Sequence, residues 1–169
     1  YQGTDWQATL ESGSSRFGNK GESKVGGNAT LFNAAYRMGD VTWRAGRNDI
    51  GTCFVSLAAA AAPGIEESYL GADWQASPIL MLGMDGRRGA NRVAATEFSD
   101  ATRSPFRAFN SRAALNLQSV VPGLMLQLQD SRTRNEDPQG AVRNMDSTNL
   151  GLAYSAPAWN GTLGYARTQ

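Results

Sequence analysis

Histidine is absent from the 169 residues of this chain. Catalysis by Ser-His or Cys-His pairs and metal binding through imidazole are therefore excluded for these residues. The single cysteine, Cys53, has no disulfide partner and no neighbours at metal-ligand spacing. The two lysines, Lys20 and Lys24, lie in a Gly/Ser-rich stretch that would not desolvate an amine for Schiff-base chemistry. We therefore predict that the chain is not an enzyme and holds no metal ion or cofactor.

Long apolar runs and excess charge are also missing. No apolar run approaches the ~18 residues that a transmembrane helix needs. Sixteen Lys and Arg against fifteen Asp and Glu give a net charge of +1, so we expect no nucleic-acid partner. The N-terminal YQGTDWQ lacks the basic and apolar regions of a signal peptide, which is therefore absent or already removed. The internal run CFVSLAAAAAPG, residues 53–64, is interpreted as a strand or loop segment.

Glycine, by contrast, is plentiful: 19 of the 169 residues are glycine, which is more than the usual ~7%. A glycine-rich chain with frequent turn signals and regularly placed aromatic residues favours β-structure. The length of the chain predicts one domain over residues 1–169, which is long enough to bury a sizeable core or to close a small barrel.

Apolar residues alternate with polar or small ones in segment after segment, which is the period of a β-strand with two different faces. The alternation predicts about nine strands. The apolar positions are Trp6, Ala8 and Leu10; Phe32, Ala34, Tyr36 and Met38; Val41, Trp43 and Ala45; Leu70, Ala72, Trp74 and Ala76; Leu80, Leu82 and Met84; Leu115, Leu117 and Val121; Leu124, Leu126 and Leu128; Leu150, Leu152 and Tyr154; Leu163 and Tyr165.

The connections between these strands are predicted to alternate strictly between long and short. Long polar loops are predicted at residues 12–27, 47–68, 87–107 and 133–147. Short turns are predicted at Gly39-Asp40, Ser77-Pro78, Pro122-Gly123 and Pro157 to Gly161. This asymmetry is typical of an outer-membrane barrel, whereas a Greek-key sandwich mixes its loop lengths at both ends.

Two further features favour a membrane-spanning barrel over a soluble β-sandwich. The predicted strands 107–120 and 124–134 exceed the usual ~5–6 residues and fit the ~9–11 that a tilted strand needs to cross hydrocarbon. Tyr36, Trp43, Trp74 and Trp159 lie close to the predicted short turns, as aromatic residues do at a membrane interface. The leucine face is then expected to contact lipid and the opposite face a hydrated lumen.

The hairpins NLGLAYSAPAWNGTLGYARTQ and RAALNLQSVVPGLMLQLQDSRT resemble those of Gram-negative outer-membrane β-barrels of the porin or polysaccharide-export kind. The resemblance lies in pattern and turn style over most of the chain. It implies an antiparallel up-and-down transmembrane β-barrel, but it carries over no functional residue because no motif specific to one family is present.

The chain departs from these barrels at its C-terminus, which ends in Ala166-Arg167-Thr168-Gln169 and not in an aromatic residue. An odd number of strands is a second departure, because bacterial single-chain barrels have an even number. Either residues 52–57 form one more strand, or the chain is a segment of a larger barrel. We favour the segment, because an extra strand would break the alternation of the turns.

Eleven polar residues are predicted to line the lumen, because they fall on the face opposite the leucines. They are Glu11, Arg37, Arg44, Asp73, Asp85, Arg87, Arg112, Asn116, Gln118, Gln127 and Gln129. Their arginine bias would favour anionic or polar solutes. The alternative is that these charges pair across strands and only keep the lumen hydrated, with Asp85, Arg87 and Asp73 neutralising each other.

The sequence thus predicts a bacterial outer-membrane barrel that forms a passive pore or export channel for small polar solutes or polysaccharide. Outer-membrane lipid is the expected partner, together with a possible periplasmic or lumenal protein. Two alternatives stay open: a soluble β-sandwich that acts as a binding or assembly module, and a scaffold barrel that encloses a protein partner.

Overall fold

The computed structural model describes residues 5–18, 25–54, 63–96, 99–155 and 160–169, which form nine strands. The strands are β1 Trp6–Phe17, β2 Val25–Met38, β3 Val41–Ile50, β4 Ile65–Ser77, β5 Leu80–Val93, β6 Thr102–Asn116, β7 Leu124–Glu136, β8 Val142–Ser155 and β9 Asn160–Thr168. The described part of the chain contains no helix with the length and apolarity to cross a membrane.

The nine strands form a single sheet in sequence order, and each strand is antiparallel to the next. This confirms the predicted all-β, up-and-down architecture and the number of strands. A β-sandwich needs two packed sheets, so that alternative was wrong about the fold. Among the described residues β1 and β9 do not pair with each other, and the sheet is open.

The strands extend far into the segments predicted as long loops. β5, for example, continues to Val93 and β6 already begins at Thr102, so residues 94–101 connect them in place of the predicted 87–107. Period-two hydrophobicity fails in these extensions because both faces carry polar side chains there. Backbone pairing continues regardless, since it does not depend on side-chain polarity.

The connection between β6 and β7 is also different from the prediction. β6 ends at Asn116, and residues 117–123 form successive turns in which the Val120 and Val121 amides donate to the Leu117 carbonyl. Gln118 therefore lies in a connection and not on a strand. Because residues 137–141 make the next connection shorter than 117–123, the strict alternation of loop lengths was wrong.

Two of the predicted short turns have clear local causes. Gly39 has a φ of 59°, which glycine adopts without strain at the first central position of a two-residue hairpin turn. At the β4–β5 turn the Ser77 hydroxyl accepts hydrogen bonds from the Ile79 and Leu80 amides at 3.3 and 3.1 Å. Residues 156–159, including Trp159, lie outside the described residues.

The possible extra strand at residues 52–57 is not formed by its described part. Thr52 and Cys53 lie in a turn, and residues 55–62 lie outside the described residues. Phe54 folds back over the sheet, where its ring lies 3.4 Å from the position that a Cβ on Gly13 would occupy. We call the face that Phe54 covers the inner face and the opposite face the outer face.

The cross-strand register places the predicted leucine positions together on the outer face. Tyr36 lies opposite Trp6 and Trp43, and Leu126 lies opposite Leu115 and Leu152. Large apolar side chains on this face are exposed, including Trp74 at 48% and Leu163 at 72%. In the described residues the buried apolar side chains are only Ala29, Ile50, Ala72 and Ala90. A surface of this kind needs an apolar environment outside the chain.

The apolar part of the outer face runs diagonally across the hydrogen-bonded rows. The row that begins at Phe32 on β2 passes through Arg47, Ser68, Arg88, Arg107 and Arg134 and reaches Asn144 on β8. The continuous run of apolar outer-face residues that starts at the short turns ends at Phe32 on β2 and at Leu150 on β8, which is about one residue of shift per strand. With a rise of ~3.3 Å per residue and ~4.8 Å between strands, this corresponds to strands tilted by about 35°. Transmembrane barrels have strands tilted by about this angle.

Replacing Leu126 with arginine is expected to lower the free energy of unfolding in phospholipid vesicles by about 2–4 kcal/mol, because the charge would enter hydrocarbon. The neighbouring inner-face variant Gln127→Arg is the matched control and is expected to cost less than about 1 kcal/mol. Urea titration of the vesicle-bound protein measures both values. Equal losses in the two variants would contradict the assignment of the faces.

Candidate functional site

Ten of the eleven residues predicted to line a lumen lie on inner-face positions of the strands. Their assignment follows from the pairing register, which places each of them opposite other inner-face residues. They are Glu11 on β1, Arg37 on β2, Arg44 on β3, Asp73 on β4, Asp85 and Arg87 on β5, Arg112 and Asn116 on β6, and Gln127 and Gln129 on β7. The eleventh, Gln118, lies in the β6–β7 connection, where its backbone N–H donates to Asn116 Oδ1 at 3.1 Å.

The centre of the inner face carries an Arg–Asp–Arg bridge formed by Arg44, Asp73 and Arg112. Arg44 Nη2 lies 2.7 Å from Asp73 Oδ2, and Arg112 Nη2 pairs with the other oxygen, Asp73 Oδ1. β3 and β4 are neighbours, but Arg112 on β6 reaches Asp73 across the whole of β5. The bridge thus links side chains from three strands and extends across four neighbouring strands, β3 to β6.

Gly83 on β5 allows the side chains of Arg112 and Asp73 to meet across that strand. The register places Gly83 on β5 directly between Asp73 and Arg112. A Cβ at this position would lie 2.6 Å from both Asp73 Oδ1 and Arg112 Nε. Any side chain at residue 83 would therefore occupy the path of the ion pair.

The Arg–Asp–Arg bridge places two guanidinium groups around one carboxylate and so keeps a surplus positive charge on the inner face. The side chains of Arg44, Asp73 and Arg112 are 41%, 24% and 47% exposed. Ion pairs with this exposure contribute little to stability. Their main physical effect is to fix the position of the charges on the wall.

A second, electrically balanced cluster lies beside the bridge. Asp85 Oδ2 lies 3.6 Å from Arg87 Nε and accepts a hydrogen bond from Asn110 Nδ2 at 3.0 Å. The pairing of Asp85 with Arg87 is the one that the sequence suggested, whereas Asp73 pairs elsewhere. The net charge of the inner wall therefore depends on the Arg–Asp–Arg bridge more than on this cluster.

Gln129 lies directly opposite Arg112 of the bridge, whereas the other inner-face residues from the prediction stand apart from both clusters. Arg37 Nε donates to the Gly39 carbonyl at 3.3 Å, close to a short turn. Gln127 Nε2 lies 3.6 Å from Met125 Sδ on the same strand. Glu11 lies opposite Leu31 and forms no ion pair within the described residues.

Sequence reasoning missed five inner-face residues that hydrogen-bond to one another or to predicted ones: Asn33, Asn48, Glu67, Tyr69 and Asn110. Asn48 Nδ2 donates to Glu67 Oε1 at 2.8 Å. The Tyr69 hydroxyl donates to Asn33 Oδ1 at 2.7 Å, and the Tyr69 ring covers Gly46. Asn110 could have been found, because it precedes Arg112 by two residues on the same strand. Nothing in the sequence marks the Tyr69–Asn33 contact, which joins strands that are not neighbours.

The sequence matches no protein-family model and no curated protein. Among solved structures the chain is similar to OmpT of Vibrio cholerae with its loop L8 deleted, described as an outer membrane protein. The TM-score is 0.64, and the match covers all of this chain. The open nine-stranded sheet thus matches part of the fold of an outer-membrane β-barrel. The identity is 12%, a level at which the likeness concerns the fold alone, and the chain spans 56% of that protein's length.

This comparison also corrects the prediction that the chain is not an enzyme. That prediction relied on the absence of histidine from these residues. The chain corresponds to 56% of the matched outer-membrane protein, and a site inside a barrel draws its side chains from strands all around the wall. The missing histidine is therefore no ground for excluding an enzyme, and the exclusion was wrong.

A double-mutant cycle on Asp73→Asn and Arg112→Gln is expected to give a coupling energy of roughly 0.5–1 kcal/mol in detergent unfolding experiments. The coupling should vanish in a Gly83→Ala background, because the added methyl group separates the two side chains. Gly151→Ala is the matched control: it also lies on the inner face, and no atom lies within 4 Å of its Cβ position. Coupling that survives Gly83→Ala would refute the role of this glycine.

Proposed function

We propose that the chain forms part of the wall of a passive pore in a bacterial outer membrane, through which small polar solutes pass with a preference for anions. The observation that carries the proposal is the Arg–Asp–Arg bridge on the inner face of a sheet whose outer face is apolar. Two guanidinium groups and one carboxylate on a hydrated wall attract anions and retard cations.

In the proposed arrangement the outer face contacts outer-membrane lipid. The exposed apolar side chains of this face match a hydrocarbon environment, and the diagonal course of the apolar residues matches a flat membrane that cuts through tilted strands. The turns after Met38 and Ser77 would face the periplasm, and the connections after Ile50 and Val93 would face the exterior, since external loops are the longer ones in such barrels.

The proposed pore requires further strands next to β1 and β9. Hydrocarbon offers no hydrogen-bond partner to an unpaired strand edge, so a sheet that spans a membrane has to close. β1 and β9 run in the same direction and would pair in parallel if they met directly. We therefore propose that these nine strands belong to a larger barrel, whose total number of strands sets the pore diameter.

Small solutes are better supported than polysaccharide as the permeant. Sugar-binding surfaces commonly use aromatic rings, and the inner-face aromatic side chains that the structure describes are those of Phe54, Tyr69 and Phe106. The Tyr69 ring covers Gly46, and that of Phe106 lies 2.9 Å from the Cβ position of Gly89. All three rings pack over glycines of the wall and do not form a continuous track.

The protein is expected to fractionate with the outer membrane and to show heat-modifiable electrophoretic mobility after extraction in mild detergent, because a closed barrel resists SDS until it is boiled. Comparison of boiled and unboiled samples measures this. A protein that is freely soluble and has the same mobility in both samples would refute the proposed membrane location.

The double variant Arg44→Gln/Arg112→Gln is expected to shift the selectivity of reconstituted pores from anions toward cations, because Asp73 loses both of its guanidinium partners. The change in reversal potential under a tenfold KCl gradient measures the shift. Arg47→Gln removes the same charge from the outer face of β3 and should leave the reversal potential unchanged. An unchanged reversal potential in the double variant would refute the proposed role of the bridge.

A further inference from the structure

Three arginines lie side by side on the outer face of β5, β6 and β7. Arg88 is directly opposite Arg107, and Arg107 is directly opposite Arg134. All three side chains are exposed. We call these residues the arginine row.

Like charges placed directly opposite each other destabilise a sheet unless a counter-charge lies between them. Within the part of the chain that the structure describes, none of the ion pairs includes a residue of the arginine row. Among the outer-face carboxylates nearby, Glu66 pairs with Arg47 and Arg103, and Asp130 pairs with Arg132. Glu136, two residues beyond Arg134 on β7, and Asp146, opposite Arg132, form no ion pair with the row in the described residues. The arginine row therefore presents concentrated positive charge outward, where the protein supplies no ion pair.

The height of the arginine row on the wall is informative. On β6 Phe109 is the next outer-face residue from Arg107 toward the short turns; on β5 Gly86 lies between Met84 and Arg88, and on β7 Asp130 and Arg132 lie between Leu128 and Arg134. On all three strands the row therefore lies beyond the apolar part of the outer face. It lies at the end of the sheet that carries the longer connections. At the opposite end the outer-face strand positions are apolar or aromatic, with Tyr36, Trp43 and Trp74 among them. Charge on the outer face is thus confined to one rim.

Guanidinium groups bind phosphate through paired, parallel hydrogen bonds, which an ammonium group cannot form. A groove beside the row offers room for a ligand; its side chains include three arginines and one carboxylate, from Arg107, Phe109, Arg132, Arg134, Asn144 and Asp146. Phosphates that face a membrane protein at the outer rim belong to lipopolysaccharide, the phosphorylated glycolipid of the outer leaflet.

We propose that Arg88, Arg107 and Arg134 bind the phosphate groups of outer-leaflet lipopolysaccharide and so hold this lipid against the outer face of β5–β7. Phe109 lies next to Arg107 on β6, toward the apolar part of the outer face. The proposal depends on the orientation of the sheet in the membrane and is independent of whether the barrel conducts solutes.

The test uses the full-length protein in mild detergent and measures binding of fluorescent lipopolysaccharide. The triple variant Arg88→Gln/Arg107→Gln/Arg134→Gln is expected to bind at least about tenfold more weakly, because three charge-assisted contacts are lost. Arg143→Gln, on the inner face of β8, removes an arginine near the same rim and should bind as the unchanged protein does. Heat-modifiable mobility verifies that each variant is folded, and removing like charges from the row should not impair folding.

The ligand is varied in the same assay. Chemically dephosphorylated lipopolysaccharide should bind the unchanged protein about as weakly as intact lipopolysaccharide binds the triple variant. The proposal is overturned if dephosphorylation has no effect, if the triple variant binds normally, or if phosphatidylglycerol or inorganic phosphate displaces lipopolysaccharide at equal concentration. Because binding is measured without a bilayer, failure of the pore hypothesis would leave this result unaffected.

Discussion

Hydrogen bonding between neighbouring antiparallel strands is the constraint from which the rest of this structure follows. Once each strand pairs with its neighbours in sequence, side chains can point only to the outer or to the inner face. The leucines around Leu126 and the glutamines around Gln127 are therefore separated by the backbone itself. Every property proposed for the protein, from lipid contact to solute passage, depends on this separation.

The same geometry explains how a single β-sheet can hold charged side chains in fixed positions on one face. Cross-strand neighbours are close enough for side chains to pair, but Arg112 and Asp73 are two strands apart, and only the missing side chain of Gly83 lets them meet. Glycine is used in a similar way beneath the Tyr69 ring and beneath Phe54. The glycine-rich composition, which indicated β-structure in general, thus also provides space on the crowded inner face.

The sequence predicted the parts of the fold in which one face is apolar and the other polar. The hairpin from Phe32 to Ala45 is an example, since both of its strands alternate and glycine marks its turn. It could not predict the continuation of β5 to Val93, because polar side chains on both faces erase the alternation while pairing persists. The end of β6 at Asn116 was missed for the opposite reason: Leu117 and Val121 keep the hydrophobic pattern although the backbone has left the sheet.

The positions of the inner-face residues were predictable from the alternation of polar and apolar side chains. The pairing of Asp73 with Arg112 was not, because it depends on the register between the strands.

The Arg–Asp–Arg bridge has a consequence for how the strands find their alignment during folding. If a strand slides by two residues against its neighbour, all its apolar side chains stay on the outer face, so the hydrophobic pattern does not oppose the error. In β5 such a shift would bring Met81 or Asp85 to the position of Gly83, between Asp73 and Arg112. A methionine side chain would obstruct the bridge, and a second carboxylate would repel Asp73. A two-residue slip of β5 would therefore separate the residues of the bridge, although the contact of its apolar side chains with lipid would be unchanged.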